Sequence, residues 1–561
     1  MSCSKYTLTN NGSSLAKFSF RRCSDNMDFF NIGIDQGSFK NIWFVDGTFS
    51  KDGDIEIVNS ISPFPSPTAC QRIPEILIQF SSDTLNNFYK SGNPGNEMDF
   101  DIELNNSTTC TVDWGDENID TYVGTSINPT HTYLSNGLFI IKVTFDDFNE
   151  VNELNIYQMP VLQVNGCEFL TSLEFLYIED CILTSFDTLS APLSPILEEL
   201  YLDSNWLTSF TPSYLLPDSL TDFDLSDNYR LKTFTLIEPL PSNLIDFDIS
   251  DCGGNYPSSN YGGLPGDDGG ITSPFNYAIP NSLNNLYLDG NKISEFNPTF
   301  DIINSQLTNL NISDNSLTSF DVNLPDSLTD LYVYTNPLTT FNPVFAQNQT
   351  SGTLTIGRTY TIQKYNASDS FSGVANVQSG VIDTDGCVFI ATGTTPVWSA
   401  SSILTAAKIN NIEAYDTELT TYNPSVALPS SLRYLDFSDN KPYGGVGSNQ
   451  GTFGQSGLTT FDPTIALPYG LTDLDLSNNS LIIFNPTPNI PTTINNLNLS
   501  DNLLTTLGTN TTLDYLSNIL VGPSGTIDVN GTGNAAPTVG PPDGTSAVST
   551  LTGNGYTVNT N

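Results

Sequence analysis

From about residue 151 to 510 the chain repeats one arrangement of apolar and polar positions. A short stretch alternates apolar and polar residues, a polar turn follows, and two more apolar positions stand three apart before the next copy. The copies read LEELYLDSNWLTSF from Leu197, LTDFDLSDNYRLKTF from Leu220 and LIDFDISDC from Leu244. They continue as LNNLYLDGNKISEF from Leu283, LTNLNISDNSLTSF from Leu307, LTDLYVYTNPLTTF from Leu328, LRYLDFSDN from Leu432, LTDLDLSNNSLIIF from Leu471 and INNLNLSDNLLTTL from Ile494. Weaker copies at Val151, Leu173 and Ile409 bring the total to twelve, mostly at steps of 21 to 24 residues. Period-two alternation predicts a short strand with its leucines inward and polar residues outward. The return segments carry proline (FTPSYLLPDSL, FDVNLPDSL, FNPTPNIPTTI), so they are expected to be extended or 3₁₀ rather than helical.

The phrase L-x-x-L-x-L-x-x-N-x-L-x-x-F resembles the leucine-rich repeat, which implies a β-solenoid with one parallel sheet, roughly 55–60 Å long for twelve strands. The ninth position is Asn205, Asn228, Asn291, Asn315, Asn336, Asn440, Asn479 and Asn502. Stacked amides there are expected to satisfy backbone groups of adjacent turns, a structural ladder rather than a metal site. The expected class is therefore mainly β, with repeats over 149–345 and 406–512.

Three interruptions break the period. GGNYPSSNYGGLPGDDGG follows Cys252 and KPYGGVGSNQGTFGQSG follows Asn440, each just past the ninth position. Both are expected to be surface loops, and their Tyr/Gly/Ser/Asn composition suits recognition, with Tyr256, Tyr261, Tyr443 and Phe453 as contact residues; neutral loop growth is the plainer reading. The third interruption lies within 346–405, where Gly357–Ile362, DSFSGVA at 369–375 and Phe389–Pro396 resemble a small β module of phage tail fibres. Ahead of the repeats, WGD at Trp114–Asp116 and HTY at His131–Tyr133 resemble the PKD-like β-sandwich, placed at 62–148, with Glu117 where that family carries glycine. Residues 1–61 read as a small β domain suited to attachment. Residues 513–561 resemble a C-terminal repeat cap that closes on GYTVNTN.

Charge narrows the partners. With 61 acidic against 17 basic residues, a net −44, the chain repels phosphate backbones, so nucleic acid is excluded. No run of 18 apolar residues exists for membrane insertion, and MSCSKYTLTNNGSSLAKF lacks the features of a signal peptide. An exposed type of composition without a leader suits assembly onto a virion, the location expected here; an extracellular or cell-surface location is the alternative. Eight cysteines show no CxxC spacing, and Cys3/Cys23 and Cys70/Cys110 stand open between disulfides and buried thiols.

Catalytic material is scarce. The one histidine, His131, belongs to the HTY phrase, so no Ser-His or Cys-His pair is credible, and the carboxylate pairs Asp222/Asp224 and Asp473/Asp475 lie on an open face; no enzyme is expected. No cofactor is expected either, with Ca²⁺ at Asp267, Asp268, Asp383 and Asp385 left open. The outward strand positions form two columns. One runs Glu199, Asp222, Asp246, Asn285, Asn309, Asp330, Tyr434, Asp473, Asn496; the other runs Tyr201, Asp224, Asp248, Tyr287, Asn311, Tyr332, Asp436, Asp475, Asn498. Carboxylates, amides and tyrosines on a concave sheet suit a host-surface glycan or protein. The expected role is adhesion on a phage fibre or capsid protrusion, held to other virion proteins by the N-terminal domain, with homo-oligomerisation open. A decoration subunit without a ligand and a secreted adhesin are the alternatives.

Overall fold

The computed structural model describes residues 75–82, 96–186, 191–253, 269–399, 402–424, 426–440, 457–463, 465–486, 490–522 and 524–561, together with the backbone of six strands between 3 and 59. Those six form two three-stranded antiparallel sheets, with Cys3–Asn10 between Phe39–Val45 and Ile55–Asn59, and Ala16–Arg21 between Asp28–Ile34 and Ser50–Asp52. The chain divides into two compact units, residues 1–244 with 252–269, and residues 245–251 with 270–561.

In the first unit, Asp101–Asp113 pairs antiparallel with Ile119–Ile127 and with Leu138–Phe145, which also pairs with Ile76–Ser81. Alternation in Leu138–Phe145 puts Phe139, Ile141, Val143 and Phe145 into the core. The WGD and HTY phrases meet there. The Trp114 indole N–H donates to Asp120 at 2.8 Å, the Tyr133 hydroxyl donates to the Trp114 carbonyl at 2.9 Å, and His131 stacks on Trp114 at 4.9 Å. Glu117, in place of glycine, still takes the left-handed backbone at φ +77°.

This antiparallel segment runs into the repeats without a linker. Val151–Tyr157 pairs antiparallel with Asp101–Asp113 on one side and parallel with Phe175–Glu179 on the other, so an antiparallel strand covers the edge that the first repeat would leave bare. Parallel pairing continues through Glu199–Tyr201 to Asp222–Asp224. In the second unit, parallel pairing in constant register joins Asp246–Asp248, Asn285–Tyr287, Asn309–Asn311, Asp330–Tyr332, Asn411–Glu413, Tyr434–Asp436, Asp473–Asp475 and Asn496–Asn498. These are the turns of a leucine-rich-repeat solenoid.

Within each turn the inward leucines are fully buried, as Leu283, Leu286 and Leu288 show. The fourteenth-position rings form a second stack, with Phe275, Phe296, Phe320 and Phe341 at centroid spacings of 5.8, 6.1 and 5.9 Å. The ninth position is the ladder. Asn228 is 0 % exposed; its Nδ2 donates to the carbonyls of Leu202, Leu225 and Ser226, and its Oδ1 accepts from Leu207 N–H one turn earlier. Asn205, Asn291, Asn315, Asn336, Asn479 and Asn502 repeat that set. Asn440 accepts from Thr417 N–H and donates to the Phe437 carbonyl. Cys181 and Cys252 take the same place with a thiol, reaching the Ile156 and Leu225 carbonyls at 3.7 Å. With Cys110, Cys167 and Cys387 they are buried free thiols, and burial pushes Cys110 and Cys181 up to about 12. Cys3, Cys23 and Cys70 lie outside the residues whose side chains are described.

The eighth position explains the recurring Asp. Asp180, Asp227, Asp251, Asp314, Asp416, Asp439, Asn478 and Asp501 all have φ between +48° and +57°. Asp and Asn tolerate this left-handed region better than other side chains, and Gly290 fills it at φ +64°.

The repeats resume after the two inserts at Ile271 and Leu458, whose N–H groups donate to Asn291 and Asn479. Between Gln349 and Leu404 lies a separate four-stranded sheet. Tyr360, Ile362, Phe371 and Phe389 from its quoted motifs form its core. Arg358 fastens it to the repeats through two bonds of 2.6 Å to the buried Asp326 carboxylate.

The end of the chain departs from the extended-return expectation. Two further strands, Thr526–Asp528 and Thr557–Asn559, extend the parallel pairing, but the segments leading to them contain helices Thr506–Ile519 and Gly544–Gly553. Neither helical stretch contains proline, and each starts on a capping side chain, Thr505 and Asp543, that accepts from Gly508 and Ser546 N–H. No helix among the described residues is long and apolar enough to cross a membrane.

Candidate recognition face

Three-residue strands with one buried central side chain leave two outward positions per turn. In the first unit these are Glu199 and Tyr201, then Asp222 and Asp224, in register. In the second, both predicted columns line up as paired neighbours, and the weak copy at Ile409 adds Asn411 and Glu413 between Asp330/Tyr332 and Tyr434/Asp436. Side chains in both columns are mostly half-buried by their neighbours.

The second column is anchored to the backbone. Asp224, Asp248, Asp436 and Asp475 each accept the N–H of the serine two residues on, at 2.7–2.8 Å. That local turn leads the strand into the left-handed eighth residue, so these carboxylates have a conformational job. Burial lifts Asp224, and burial with the neighbouring Asp475 pushes Asp436 up to about 6. Where tyrosine replaces the acid, as at Tyr201, Tyr287 and Tyr332, a ring stands on the face instead.

Hydrogen bonds also run along the first column and between columns. Asn496 donates to Asp473 at 2.6 Å and Asn498 to Asp475 at 2.9 Å; Asn285 donates to Asp246, and Asn309 to the Tyr287 hydroxyl at 3.3 Å. Tyr434 gives its hydroxyl proton to Asp436 at 3.1 Å. One turn residue beyond the columns, at the seventh position, Tyr334 and Tyr415 stack with centroids 4.4 Å apart and planes 5° from parallel, and Tyr332 meets Tyr334 edge-on at 6.5 Å. The seventh position also holds Asp203 and Asp289. Burial, aided by Asp224 and Glu179, pushes Asp203 up to about 7, and burial with Asp251 pushes Asp289 up to about 6. Alternation carried two places past the second column would have flagged this row.

The other candidate residues fall elsewhere. Tyr256, Tyr261, Tyr443, Phe453, Asp267 and Asp268 lie outside the described residues. Asp383 accepts from the Ser370 hydroxyl and Phe371 N–H, and Asp385 from Tyr365 N–H, so both carboxylates close loops of the inserted module. Among the described residues, no group of three or more His, Cys, Asp or Glu is placed to hold a metal ion. His131 bonds Asp116 at 2.8 Å while stacked on Trp114.

No family model matches the chain, and no curated protein does. Among solved structures, one similar chain is the functional domain of InlJ from Listeria monocytogenes, described as including a cysteine ladder. It is 17 % identical over 70 % of this chain and 71 % of that one, with a TM-score of 0.26. The assignment to the leucine-rich-repeat architecture rests on the strand register and amide ladder described above.

Proposed function

We propose that this chain is a non-enzymatic binding protein whose outward strand face recognises a partner on another surface. The observation that carries this is the Tyr332, Tyr334 and Tyr415 cluster, a group of half-buried rings on a face rich in amides and carboxylates. Rings of this kind give contact area at low entropic cost, and a hydrogen-bonded sheet holds them in place before the partner arrives. A regular row of outward strand positions suits surface-to-surface adhesion better than turnover of a small substrate.

The setting we propose is the exposed surface of a phage particle, adhering to a host. The resemblance of residues 353–404 to a tail-fibre module supports it, as do the three quoted motifs of that module, which supply its core. Mass spectrometry of purified particles tests the setting, and absence of the chain there would remove it. The binding role is tested by adsorption of the full protein to whole cells. Replacing Tyr332 and Tyr415 with serine is expected to weaken adsorption by about tenfold or more with the fold intact. Equal adsorption by variant and parent would sink the reading.

A further inference from the structure

Positive charge is missing from the face of the second unit, while carboxylates recur along it. Across its strands, from Asp246–Asp248 to Asn496–Asn498, the two outward columns contain no lysine or arginine. Nearby cations are committed elsewhere: Arg433 donates Nη1 to the carbonyls of Ser430 and Gly470 at 2.9 and 3.0 Å, and Arg358 is bound to Asp326. Two of the amides turn toward the carboxylates, Asn411 donating to Glu413 at 3.0 Å and Asn496 to Asp473 at 2.6 Å. A partner approaching this face meets carboxylates, amides and tyrosine rings, with no cationic side chain in either column.

Resting on the binding role above, we infer that the partner at this face is a protein segment rich in lysine and arginine. Charge complementarity selects it. A cationic segment brings the charge that the face lacks, whereas an acidic glycan would be repelled. The rings sharpen the choice. The stacked Tyr334/Tyr415 pair, with Tyr332 edge-on beside it, sits two residues from Glu413, so an ammonium or guanidinium group can meet a ring and a carboxylate together. Asp330, Glu413 and Asp473 from three strands of one ladder provide the negative charge around it.

The test uses the full chain and a fluorescent lysine–glycine repeat peptide, with a neutral and an acidic polysaccharide alongside. Binding of the peptide is expected at low ionic strength and is expected to weaken steeply as salt rises. The triple variant Asp330→Asn, Glu413→Gln, Asp473→Asn should lose about tenfold or more in affinity. A matched variant on return segments, Glu295→Gln, Asp321→Asn, Asp462→Asn, removes the same charge and should change affinity by less than about twofold. Equal loss in both triple variants means general attraction to an acidic protein and overturns the inference, as does absence of peptide binding. A neutral polysaccharide whose binding is lost in Tyr415→Ser would also overturn it while leaving the binding role standing. If no probe and no cell surface distinguishes the face variants from the parent, both fall.

Discussion

Asparagine and aspartate build two regions of this protein in opposite ways. At the ninth position asparagine is sealed inside, and each amide bonds to the backbone of two turns. On the outward columns the same residue types touch one another and leave their remaining surface to solvent. Chemical identity therefore says little about role here; depth in the turn decides it. An interior amide cannot be exchanged for water, because its partners are carbonyls and N–H groups that solvent does not reach. An outward amide loses little when it is replaced.

The sharpest way to break this contrast is a pair of alanine variants. Asn228→Ala should cost about 3 kcal/mol or more in denaturant unfolding, since it strands several buried backbone groups. Asn285→Ala, which removes one bond to Asp246, should cost about 0.5 kcal/mol or less. Similar losses for the two would end the distinction. A smaller effect concerns the residue between the regions. Asp314 holds φ +48°, so Asp314→Val should cost about 1–2 kcal/mol, while Asp314→Gly should stay within about 0.5 kcal/mol. Equal losses would show that the carboxylate, and not the backbone, matters at the eighth position.

The smallest expected effect is on pH. Asp203, Asp289 and Asp436 titrate near 7, 6 and 6 in the folded chain, above the ordinary carboxylate value, chiefly because they are buried. A folded carboxyl that keeps its proton to higher pH contributes stability that is complete below the unfolded value and lost as pH rises through the folded one. The thermal midpoint should therefore rise by about 2–4 °C between about pH 7.5 and about pH 5. Asp203→Asn should flatten that rise, and a midpoint that falls over this range would contradict the sign. Asp116 behaves oppositely: burial raises it, but bonds from His131 and Asn118 outweigh burial and hold it below the usual range, so its contribution fades only in stronger acid.

The sequence was most readable where one side chain does one job in every turn. The inward leucines and the ladder asparagines recur at fixed spacing because each meets the same surroundings in every turn. Asn534, a ninth rung that bonds the Leu499 and Val529 carbonyls, was missed because two extra residues separate it from its strand. The eighth-position acids give no such plain signal, because Asp, Asn and Gly share a tolerance for left-handed backbone that composition alone does not reveal. Tyr334 and Tyr415 were passed over because the seventh position was taken as turn, and their stacking depends on strands 81 residues apart in sequence becoming neighbours around the inserted module. The terminal helices escaped because the absence of proline carries less signal than its presence.

Each rung of the ladder points backwards. Asn502 takes its Oδ1 partner from Leu481 and donates to the Leu476 carbonyl, both in the turn before it and made earlier. A chain leaving the ribosome thus presents every new asparagine to a turn that already exists, beginning with Asn205 on the Ile178 carbonyl and the Leu183 N–H. Assembly can follow translation turn by turn, with no rung waiting for sequence still to come.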